Sequence, residues 1–461
     1  MSKKYWLEIY GCQMNFAEGY ALENSLKQQG WEQADVPEKA DAVILHTCSV
    51  RQTAENRIWG RIGFFKHLKQ RNPAKLVVMG CMAERLKVEL RKKEPAIDLV
   101  VGNFEKEQLP DLIEGLNRNH QPGITQTPHI ASTALSPGKE EYESPEEKPF
   151  HFQDSHQRER DFHAFVPIMH GCDNFCTYCI VPHVRGREVS RSPQNIRREL
   201  QGLEANGVKE ITLLGQNVNS YSYGRDATDS VTRQYKFPDI LKEIVDQLDH
   251  IEWVRFLTSH PKDIPQQLIA MIASEPRLCS HIHLPVQHGS SSVLKRMNRK
   301  YTRDDYLQLV TQIRSSIDEP ALTTDIMIGF PGETEADFQA TLDLMQEVEF
   351  DDAFMYYFNP RSGTPAAEFE GQIDHQTKLN RLSEIIALQK EISRKRRVKR
   401  VGKEERVLVE SPSKKNPREL LARTERDHRV VFPGDSSLIG QFVKVRIDSM
   451  IGNTLKGIYT G

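Results

Sequence analysis

Short apolar runs alternate with segments of helical periodicity along most of this chain, and this alternation constrains the fold more than any other feature. A strand that is followed by a helix and then by another strand usually lies parallel to that second strand. Four strand-like runs occur near the N-terminus, and the first three each end in a small polar turn. The predicted strands are residues 5–10, 42–45, 76–79 and 98–101, with helices at 17–29 and 53–69. We therefore expect an N-terminal domain, residues 1–122, with a parallel βαβ sheet.

The middle of the chain repeats the same alternation after a break. Residues 123–160 are rich in Pro, Ser, Thr, His and acidic residues, and they are predicted to form a linker. Six strands then alternate with helices, which is typical of a doubly wound sheet or of a barrel short of the eight units that close it. The strands are 165–169, 210–214, 253–257, 281–285, 322–328 and 353–358, with helices at 193–206, 306–317 and 336–348. We expect a partial (β/α)6 barrel over residues 161–392.

The C-terminal part has a different period and a different charge. Helical periodicity continues from residue 375 through a basic run at 394–400, and short strands follow at 406–410, 429–432, 442–448 and 454–459. This pattern predicts a small OB-like β-barrel over residues 393–461. The region carries 17 Lys and Arg against 8 Asp and Glu, an excess of +9, in a chain of net charge -2. It is a candidate polyanion-binding region, although a solvated helix end would also explain the basic run.

The composition is that of a folded globular protein and argues against a membrane-spanning one. Hydrophobic residues make up 38% of the α/β chain and charged residues 27%, and no window approaches eighteen consecutive apolar residues. Residues 1–12 lack the apolar core of a signal peptide. We expect a cytoplasmic protein with no membrane partner. In that reducing compartment the 7 cysteines are not expected to form disulfides.

Three cysteines, Cys172, Cys176 and Cys179, form C-x3-C-x2-C directly after the first strand of the central domain. Thiolates so close in sequence converge on one object, and they suit both zinc and iron–sulfur clusters. A structural zinc site needs four ligands, which His170 or His183 could complete, but the spacing lacks the usual paired C-x2-C form. A four-iron cluster held by three cysteines leaves one iron open to a small molecule.

Cys12, Cys48 and Cys81 each come just past the carboxyl end of a predicted strand. A parallel sheet gathers such positions at one edge. Each cysteine alone could be a buried small hydrophobe, but the shared position indicates a second site with three thiolate ligands. Cys279 belongs to neither set and is interpreted as core packing. Glu84 and Arg85, at a helix start, are interpreted as a solvated face.

Polar, glycine-rich segments follow the strands of the central domain. Ligands of parallel α/β sheets bind at the carboxyl ends of the strands, so these segments predict a cofactor pocket, although each alone is an ordinary turn. The candidate cofactor-binding residues are Gly215, Asn217, Ser259, Gln287, Gly329 and Pro331.

The residues around the cysteines resemble the radical S-adenosylmethionine (SAM) methylthiotransferase family. The C-x3-C-x2-C motif after the first strand of a partial barrel resembles the radical SAM superfamily. Three N-terminal segments resemble the methylthiotransferase N-terminal domain, and their Cys-Gln-Met-Asn and Cys-Ser-Val-Arg forms resemble the MiaB-type tRNA 2-methylthio-N6-dimethylallyladenosine synthases. They are Gly11-Cys12-Gln13-Met14-Asn15, Thr47-Cys48-Ser49-Val50-Arg51 and Gly80-Cys81-Met82-Ala83.

The resemblance extends over essentially the whole chain. Val430-Val431-Phe432-Pro433-Gly434, with Arg423-Thr424 before it, is similar to a TRAM domain, an RNA-binding barrel. One residue departs from the family pattern, because His46 stands before Thr-Cys where Asn is usual. This departure does not change the ligand Cys48. It replaces a side chain that could hydrogen-bond to the groups around that cysteine.

The resemblance implies a transferase that converts N6-dimethylallyladenosine next to the tRNA anticodon to its 2-methylthio derivative. It implies SAM and two [4Fe-4S] clusters: one on Cys172, Cys176 and Cys179 that generates a deoxyadenosyl radical from SAM, and one on Cys12, Cys48 and Cys81 that carries or donates sulfur. No catalytic side chain is expected beyond these ligands.

Implied partners are tRNA, an electron donor such as flavodoxin or ferredoxin, and iron–sulfur assembly carriers, and we expect a monomer. Two alternatives stay open: methylthiolation of threonylcarbamoyl adenosine in tRNA or of a ribosomal protein, and, in another class, an RNA-binding module with structural zinc.

Overall fold

A computed structural model describes residues 2–49, 52–118, 150–153, 162–224 and 234–461. Of the predicted linker, only residues 150–153 fall inside these ranges, so the rest of that prediction lies outside the described residues. The chain divides into two compact units. The first comprises Met1–Glu159, Phe165–Asp173 and Cys179–Arg191, and the second Arg160–Ala164, Asn174–Tyr178 and Ser192–Gly461.

The first unit is built on a five-stranded parallel sheet with strand order β2-β1-β3-β4-β5, as the alternation of strands and helices predicts. β2 was not predicted, because it has three residues and buries only Trp31. The elements in chain order are β1 (Lys3–Ile9), α1 (Gln13–Gln28), β2 (Trp31–Gln33), β3 (Ala42–Thr47), α2 (Gln52–Lys69), β4 (Lys75–Gly80), α3 (Cys81–Lys93), β5 (Leu99–Val101) and α4 (Leu109–Arg118).

Both faces of this sheet are covered, so its central strands are apolar throughout. All six residues of β3 are buried. Val43 and Leu45 pack into the core on one face, and Ile44 packs into the core on the other. Burial on both faces explains why these strands lack the polar alternation of a half-exposed sheet.

The central region contains the six predicted strands, which are β6, β9, β12, β13, β14 and β15. They form two three-stranded sheets, ordered β6-β9-β12 and β13-β14-β15, and the pairs β9-β12, β13-β14 and β14-β15 are parallel. The elements are β6 (His163–Pro167), β7 (Met169–His170), α5 (Val181–Arg185), β8 (Val189–Ser190), α6 (Pro193–Ala205), β9 (Glu210–Leu214), β10 (Ser222–Tyr223), β11 (Tyr235–Lys236), α7 (Phe237–Gln247), β12 (Trp253–Phe256), α8 (Gln266–Ser274), β13 (His281–His283), α9 (Ser291–Arg296), α10 (Arg303–Ser316), β14 (Ala321–Ile328), α11 (Glu335–Val348), β15 (Asp352–Tyr357) and α12 (His375–Val398).

Local sequence determines where the helices of this region begin. Thr302 and Asp305 form a capping box at the start of α10, and Thr334 and Asp337 form another at the start of α11. Each box satisfies backbone N–H groups that have no partner within the helix.

The C-terminal region is a closed five-stranded barrel with the order β16-β17-β18-β20-β19, which confirms the predicted small barrel. Its interior is apolar and includes Val407, Ala422 and Phe432. β17 was not predicted as a strand. The strands are β16 (Glu404–Pro412), β17 (Glu419–Thr424), β18 (Arg429–Pro433), β19 (Phe442–Ile451) and β20 (Thr454–Tyr459).

The barrel packs against β12 within the second unit. Trp253 of β12, Leu408 of β16 and Cys279 form one apolar cluster, and the cysteine is 2% exposed. The interpretation of Cys279 as core packing is therefore confirmed. Among the described helices, none is long and apolar enough to cross a membrane.

Candidate metal centre and cofactor pocket

The first three cysteines lie at one edge of the N-terminal sheet. Cys12 immediately precedes α1, Cys48 directly follows β3, and Cys81 begins α3 directly after β4. Because β1, β3 and β4 are parallel neighbours in register, their carboxyl ends lie side by side. Cys48 and Cys81 are buried, and Cys12 is exposed. The prediction that the topology brings these cysteines to one edge is confirmed.

Two glycines allow a close approach at this edge. Gly11 has a φ of +125°, and a Cβ there would lie 2.6 Å from the Cβ of Cys48. Gly80 has a φ of +94°, and a Cβ there would lie 2.7 Å from the Cδ2 atom of His46. Any side chain at these positions would strain the backbone and displace a neighbour. His46, the departure from the family pattern, therefore occupies the space that Gly80 leaves open.

Asn15 connects two of the strand ends. Its amide nitrogen donates hydrogen bonds to the carbonyl oxygens of Tyr10 at 2.7 Å and Thr47 at 3.0 Å. Its Oδ1 atom accepts a hydrogen bond from Arg185 at 3.1 Å and lies 3.7 Å from the Sγ of Cys12. Since Asn15 is fully buried, these bonds determine its orientation and hold the loop that carries Cys12.

A group of buried charges lies within the same unit. Glu18 of α1 accepts hydrogen bonds from Nζ of Lys106 and NH1 of Arg185, each at 2.7 Å. None of the three side chains is more than 7% exposed. Burial raises the pKa of Glu18, but the charges of Arg185 and Lys106 outweigh it and hold that pKa well below its usual value. Glu18 is therefore ionised at neutral pH.

Two histidines border this charge group. Nε2 of His46 lies 3.4 Å from Glu18, and Nδ1 of His170 lies 3.4 Å from NH1 of Arg185. The ring of His170 stacks on Phe150 with ring centroids 3.5 Å apart. Burial is the main effect that lowers the pKa of both histidines. Both are therefore neutral at physiological pH, with His170 accepting the hydrogen bond from the guanidinium.

Cys81 has neighbours from two distant segments. Nδ2 of Asn103, which follows β5, lies 3.5 Å from the Sγ of Cys81 and donates to the carbonyl oxygen of Val184 at 2.7 Å. Cys81 also packs against Ile180 and Val184. Sequence reasoning missed Asn103, because a single Asn after a short strand belongs to no recognisable pattern.

Arg85 of α3 positions the residue next to Cys48. Its Nε atom donates to Oγ of Ser49 at 2.7 Å, and its NH2 group lies 2.9 Å from both carboxylate oxygens of Glu55. Arg85 is 13% exposed and Glu84 is 8% exposed. The interpretation of Glu84 and Arg85 as a solvated face is wrong, because α3 turns this face towards α2 and β5.

The C-x3-C-x2-C cysteines are divided between the two units, with Cys172 and Cys179 in the first and Cys176 in the second. Within the second unit, the Sγ of Cys176 accepts a hydrogen bond from NH1 of Arg299 at 3.4 Å. Arg299 is itself held by Tyr301 at 2.9 Å and by the carbonyl oxygen of Pro285 at 3.0 Å. No motif in the sequence indicated that Arg299 contacts a cysteine of the set.

No group of three His, Cys, Asp or Glu side chains within the described ranges is arranged to hold a single metal ion. The cysteines of a four-iron cluster each bind a different iron, so this finding concerns single-ion sites.

The six predicted cofactor-binding residues all follow strands of the second unit. They are Gly215 and Asn217 after β9, Ser259 after β12, Gln287 after β13, and Gly329 and Pro331 after β14. The side-chain amide of Asn217 donates to Asp263 at 2.7 Å and accepts from the backbone N–H of His260 at 3.1 Å. It therefore shapes the loop after β12.

Several buried polar atoms at these strand ends have no hydrogen-bond partner among the described residues. They are Oε1 of Gln216, both amide atoms of Asn219, Oγ of Ser259 and Nε2 of His260. Nδ1 of His260 accepts a hydrogen bond from the backbone N–H of Lys262, so its Nε2 carries the proton. Burial and the charges of Arg299 and Lys262 lower the pKa of His260 to about 2. Such atoms suit a polar ligand that supplies the missing bonds.

The backbone at the same strand ends is strained. Thr258 and Gln287 have φ values of +72° and +70°, which L residues other than glycine rarely adopt. Strain of this kind is concentrated at functional sites. The sequence could not reveal it, because neither residue is a glycine.

Three segments of the chain match known domain families. Residues 4–102 match the Uncharacterized protein family UPF0004, residues 166–345 match the Radical SAM superfamily, and residues 398–459 match the TRAM domain.

Solved structures support the fold assignment. A radical S-adenosylmethionine methyltransferase, TsrM from Kitasatospora setae, solved with tryptophan substrate and a SAM analog, superposes with a TM-score of 0.59 over 79% of this chain and 75% of that chain. Since the identity is 14%, this likeness concerns the fold alone.

Curated relatives match nearly the full chain. A protein of Treponema pallidum subsp. pallidum is 46% identical over 457 residues, covering 98% of each chain, and is named tRNA-2-methylthio-N(6)-dimethylallyladenosine synthase. A protein of Moorella thermoacetica with the same name is 42% identical over 458 residues, covering 99% of this chain and 98% of its own. This chain therefore belongs to the family of the tRNA-2-methylthio-N(6)-dimethylallyladenosine synthases.

Proposed function

We propose that this protein converts N6-dimethylallyladenosine in tRNA to its 2-methylthio derivative by radical SAM chemistry. The observation that carries this conclusion is the identity of 46%, over 98% of both chains, with a synthase of that name. The Radical SAM superfamily match supports an iron–sulfur cluster and SAM as cofactors, and the TRAM match supports tRNA as substrate. When bound, these cofactors supply the radical that an unactivated aromatic C–H bond requires, because no ordinary side chain can attack such a bond.

In the radical SAM domain we assign Cys172, Cys176 and Cys179 as the cluster ligands. Arg299 then orients Cys176 through its N–H group and places a positive charge beside a thiolate. The unpartnered polar atoms of Ser259 and His260 are available to bind SAM.

We assign Cys12, Cys48 and Cys81 as ligands of a second [4Fe-4S] cluster. The donor set fits such a group, because three thiols lie at one sheet edge and soft thiolates are the preferred ligands of iron–sulfur clusters. Gly11 allows the close approach of Cys48, and Asn15 holds the loop of Cys12.

The remaining assignments concern domains and partners. We assign residues 1–122 to the cluster-bearing N-terminal domain, 161–392 to the radical SAM domain and 393–461 to the RNA-binding part. We also expect an electron donor such as flavodoxin or ferredoxin and iron–sulfur assembly carriers, since the chemistry consumes electrons and clusters.

Mass spectrometry of tRNA nucleosides from a deletion strain tests the function. We expect 2-methylthio-N6-dimethylallyladenosine to disappear, to return with the parent gene and with Cys279→Ala, and to stay absent with Cys12→Ala or Cys176→Ala. Unchanged nucleosides in the deletion strain would contradict the proposal, and a change in a threonylcarbamoyl nucleoside would support that substrate instead.

A further inference from the structure

Arg185 is a residue that neither the cysteine motifs nor the chemistry above accounts for. It ends α5, a helix that begins two residues after Cys179, and it is 3% exposed. Its guanidinium donates to Glu18 at 2.7 Å and to Asn15 at 3.1 Å, which are 167 and 170 residues away in sequence. A buried Arg with two such partners is held in a single orientation.

This guanidinium lies close to Cys12, one of the cysteines of the N-terminal sheet. Burial lowers the pKa of Arg185, but its interactions with Cys81, Glu18 and Cys12 outweigh burial and hold that pKa well above its usual value, so the guanidinium is charged. Asn15, which accepts a hydrogen bond from Arg185, lies 3.7 Å from the Sγ of Cys12. Arg185 and the sulfur of Cys12 therefore both approach Oδ1 of Asn15, and Val184, the residue before Arg185, packs against Cys81.

Glu18 leaves the positive charge only partly neutralised. This one carboxylate is shared by two buried cations, Lys106 and Arg185. A surplus cation in a low-dielectric interior stabilises nearby negative charge.

The segment that carries Arg185 is anchored on Cys81. Ile180 and Val184 pack against that cysteine, and the carbonyl oxygen of Val184 accepts a hydrogen bond from Asn103, whose side chain also lies 3.5 Å from the Cys81 sulfur. The chain that leaves the C-x3-C-x2-C motif is thus built into the surroundings of the N-terminal cysteines.

From this arrangement we infer that Arg185 is a positioning residue that sets the reduction potential of the cluster on Cys12, Cys48 and Cys81. The inference rests on the proposed second cluster. A positive charge beside a cluster favours its reduced form, which carries one more electron, so the guanidinium raises the potential.

The test uses the full chain with Cys172→Ala, Cys176→Ala and Cys179→Ala, so that only the N-terminal cluster can form. After anaerobic reconstitution, iron content and a redox titration followed by electron paramagnetic resonance are measured for this background and for R185Q, R185K and R187Q in it. Arg187 is the matched control, because it lies on the same segment but pairs with Asp173 at the surface, where it is 51% exposed.

We expect about four irons per chain in the background, a more negative potential in R185Q, a smaller shift in R185K, and the background potential in R187Q. A background without iron would overturn the second cluster itself. Retained iron with an unchanged potential in folded R185Q would overturn only the role of Arg185. If R185Q does not fold, E18Q decides: loss of the carboxylate that pairs with Arg185 should make the potential more positive, and a potential equal to that of R187Q would overturn the inference.

Discussion

At the residue scale, the N-terminal edge depends on side chains that bring strand ends together and on glycines that leave room for them. Asn15 bonds to the ends of two strands at once, and Gly11 has no Cβ where Cys48 approaches. Neither residue offers a thiolate to a metal, so Gly11 acts through the space it leaves and Asn15 acts through its hydrogen bonds, including the one its Oδ1 atom accepts from the Cys12 thiol.

Gly11→Ala should loosen this edge. An alanine at this position would have to adopt a φ of +125°, and its methyl group would lie 2.6 Å from the Cβ of Cys48. We therefore expect a loss of about 1–3 kcal/mol in the free energy of unfolding. In the background without the C-x3-C-x2-C cysteines, iron content should fall with it. The measurements are iron analysis and urea unfolding followed by tryptophan fluorescence.

Gly60→Ala is the matched control, because Gly60 lies within α2 with no atom near its missing Cβ. That substitution should leave iron content unchanged and slightly raise stability. Equal iron in both variants would show that the close approach at Gly11 does not matter.

We expect His281 to make the free energy of unfolding depend on pH. Burial lowers the pKa of His281 in β13 to about 4, whereas the unfolded side chain titrates near its ordinary value of about 6.5. Between these values the unfolded state binds a proton and the folded state does not, so stability falls as pH decreases from about 6.5 to about 4. We expect His281→Asn to reduce this loss by up to about 3 kcal/mol.

The measurement is urea unfolding at several pH values between 4 and 7. Since burial also lowers the pKa of His163 to about 4, some dependence should remain in the variant. An identical decline in parent and variant would contradict the assignment to His281.

At the scale of elements, the basic residues of α12 and the run that follows it fall into two groups, those held in ion pairs and those exposed to solvent. Arg396 and Arg397 pair with Asp351 and Asp352, and Arg400 pairs with Glu319 at the end of the run. These side chains hold α12 to its neighbours in the second unit. Other basic residues of α12 are exposed, namely Lys390, Arg394 and Lys395, and Lys390 and Arg394 border a groove that Met450 also lines.

Replacing both Arg394 and Lys395 by Gln should weaken tRNA binding and flatten its dependence on salt. Each phosphate contact releases about one counterion, so the slope of log affinity against log salt should fall by up to about 2. The measurement is the dissociation constant for tRNA at several salt concentrations.

The charge-matched control is R197Q with K242Q, since these residues pair with Glu243 and Asp246 on helices of the same unit. If the slope of log affinity against log salt were equal in the two double variants, the exposed residues of the basic run would be solvated surface residues without a role in tRNA binding.

At the scale of the whole molecule, the C-terminal barrel is an integral part of the second unit. Arg255 of β12 is 4% exposed, and it donates to the carbonyl oxygens of Thr424 and Glu425 at 2.7 Å each. Its Nε atom lies 3.1 Å from Glu210, which also pairs with Arg423 of the barrel. These buried ions connect the central sheet to β17.

Arg255→Gln should therefore destabilise the second unit by about 3–5 kcal/mol, because it leaves Glu210 with one cation fewer and removes the donors to the carbonyl oxygens of Thr424 and Glu425. The measurement is thermal unfolding by calorimetry. Arg197→Gln removes the same charge from a more exposed position and should change stability by less than about 1 kcal/mol. Similar transitions for the two variants would contradict a structural role for Arg255.

Local patterns in the sequence determined the order of the strands and helices and the groups of cysteines. Periodicity depends on residues close in the chain, so the six central strands were predicted near their observed positions, whereas the short strand β2 and strand β17 were missed. The common edge of Cys12, Cys48 and Cys81 followed from the rule that parallel strands end together. The sequence identified His46 as a departure from the family pattern, but it could not predict that the imidazole ring lies beside Gly80.

Only the tertiary structure decided which distant residues surround those cysteines. Arg185 and Glu18 are 167 residues apart, and no local pattern relates them. Arg85 was misread for the same reason, since a charged residue in a helix start is usually solvated and its burial depends on what packs against that helix. Contacts between residues distant in the chain arise from the packing of completed elements, so the sequence of one chain read alone determines the elements and the cysteine sets but not their charged surroundings.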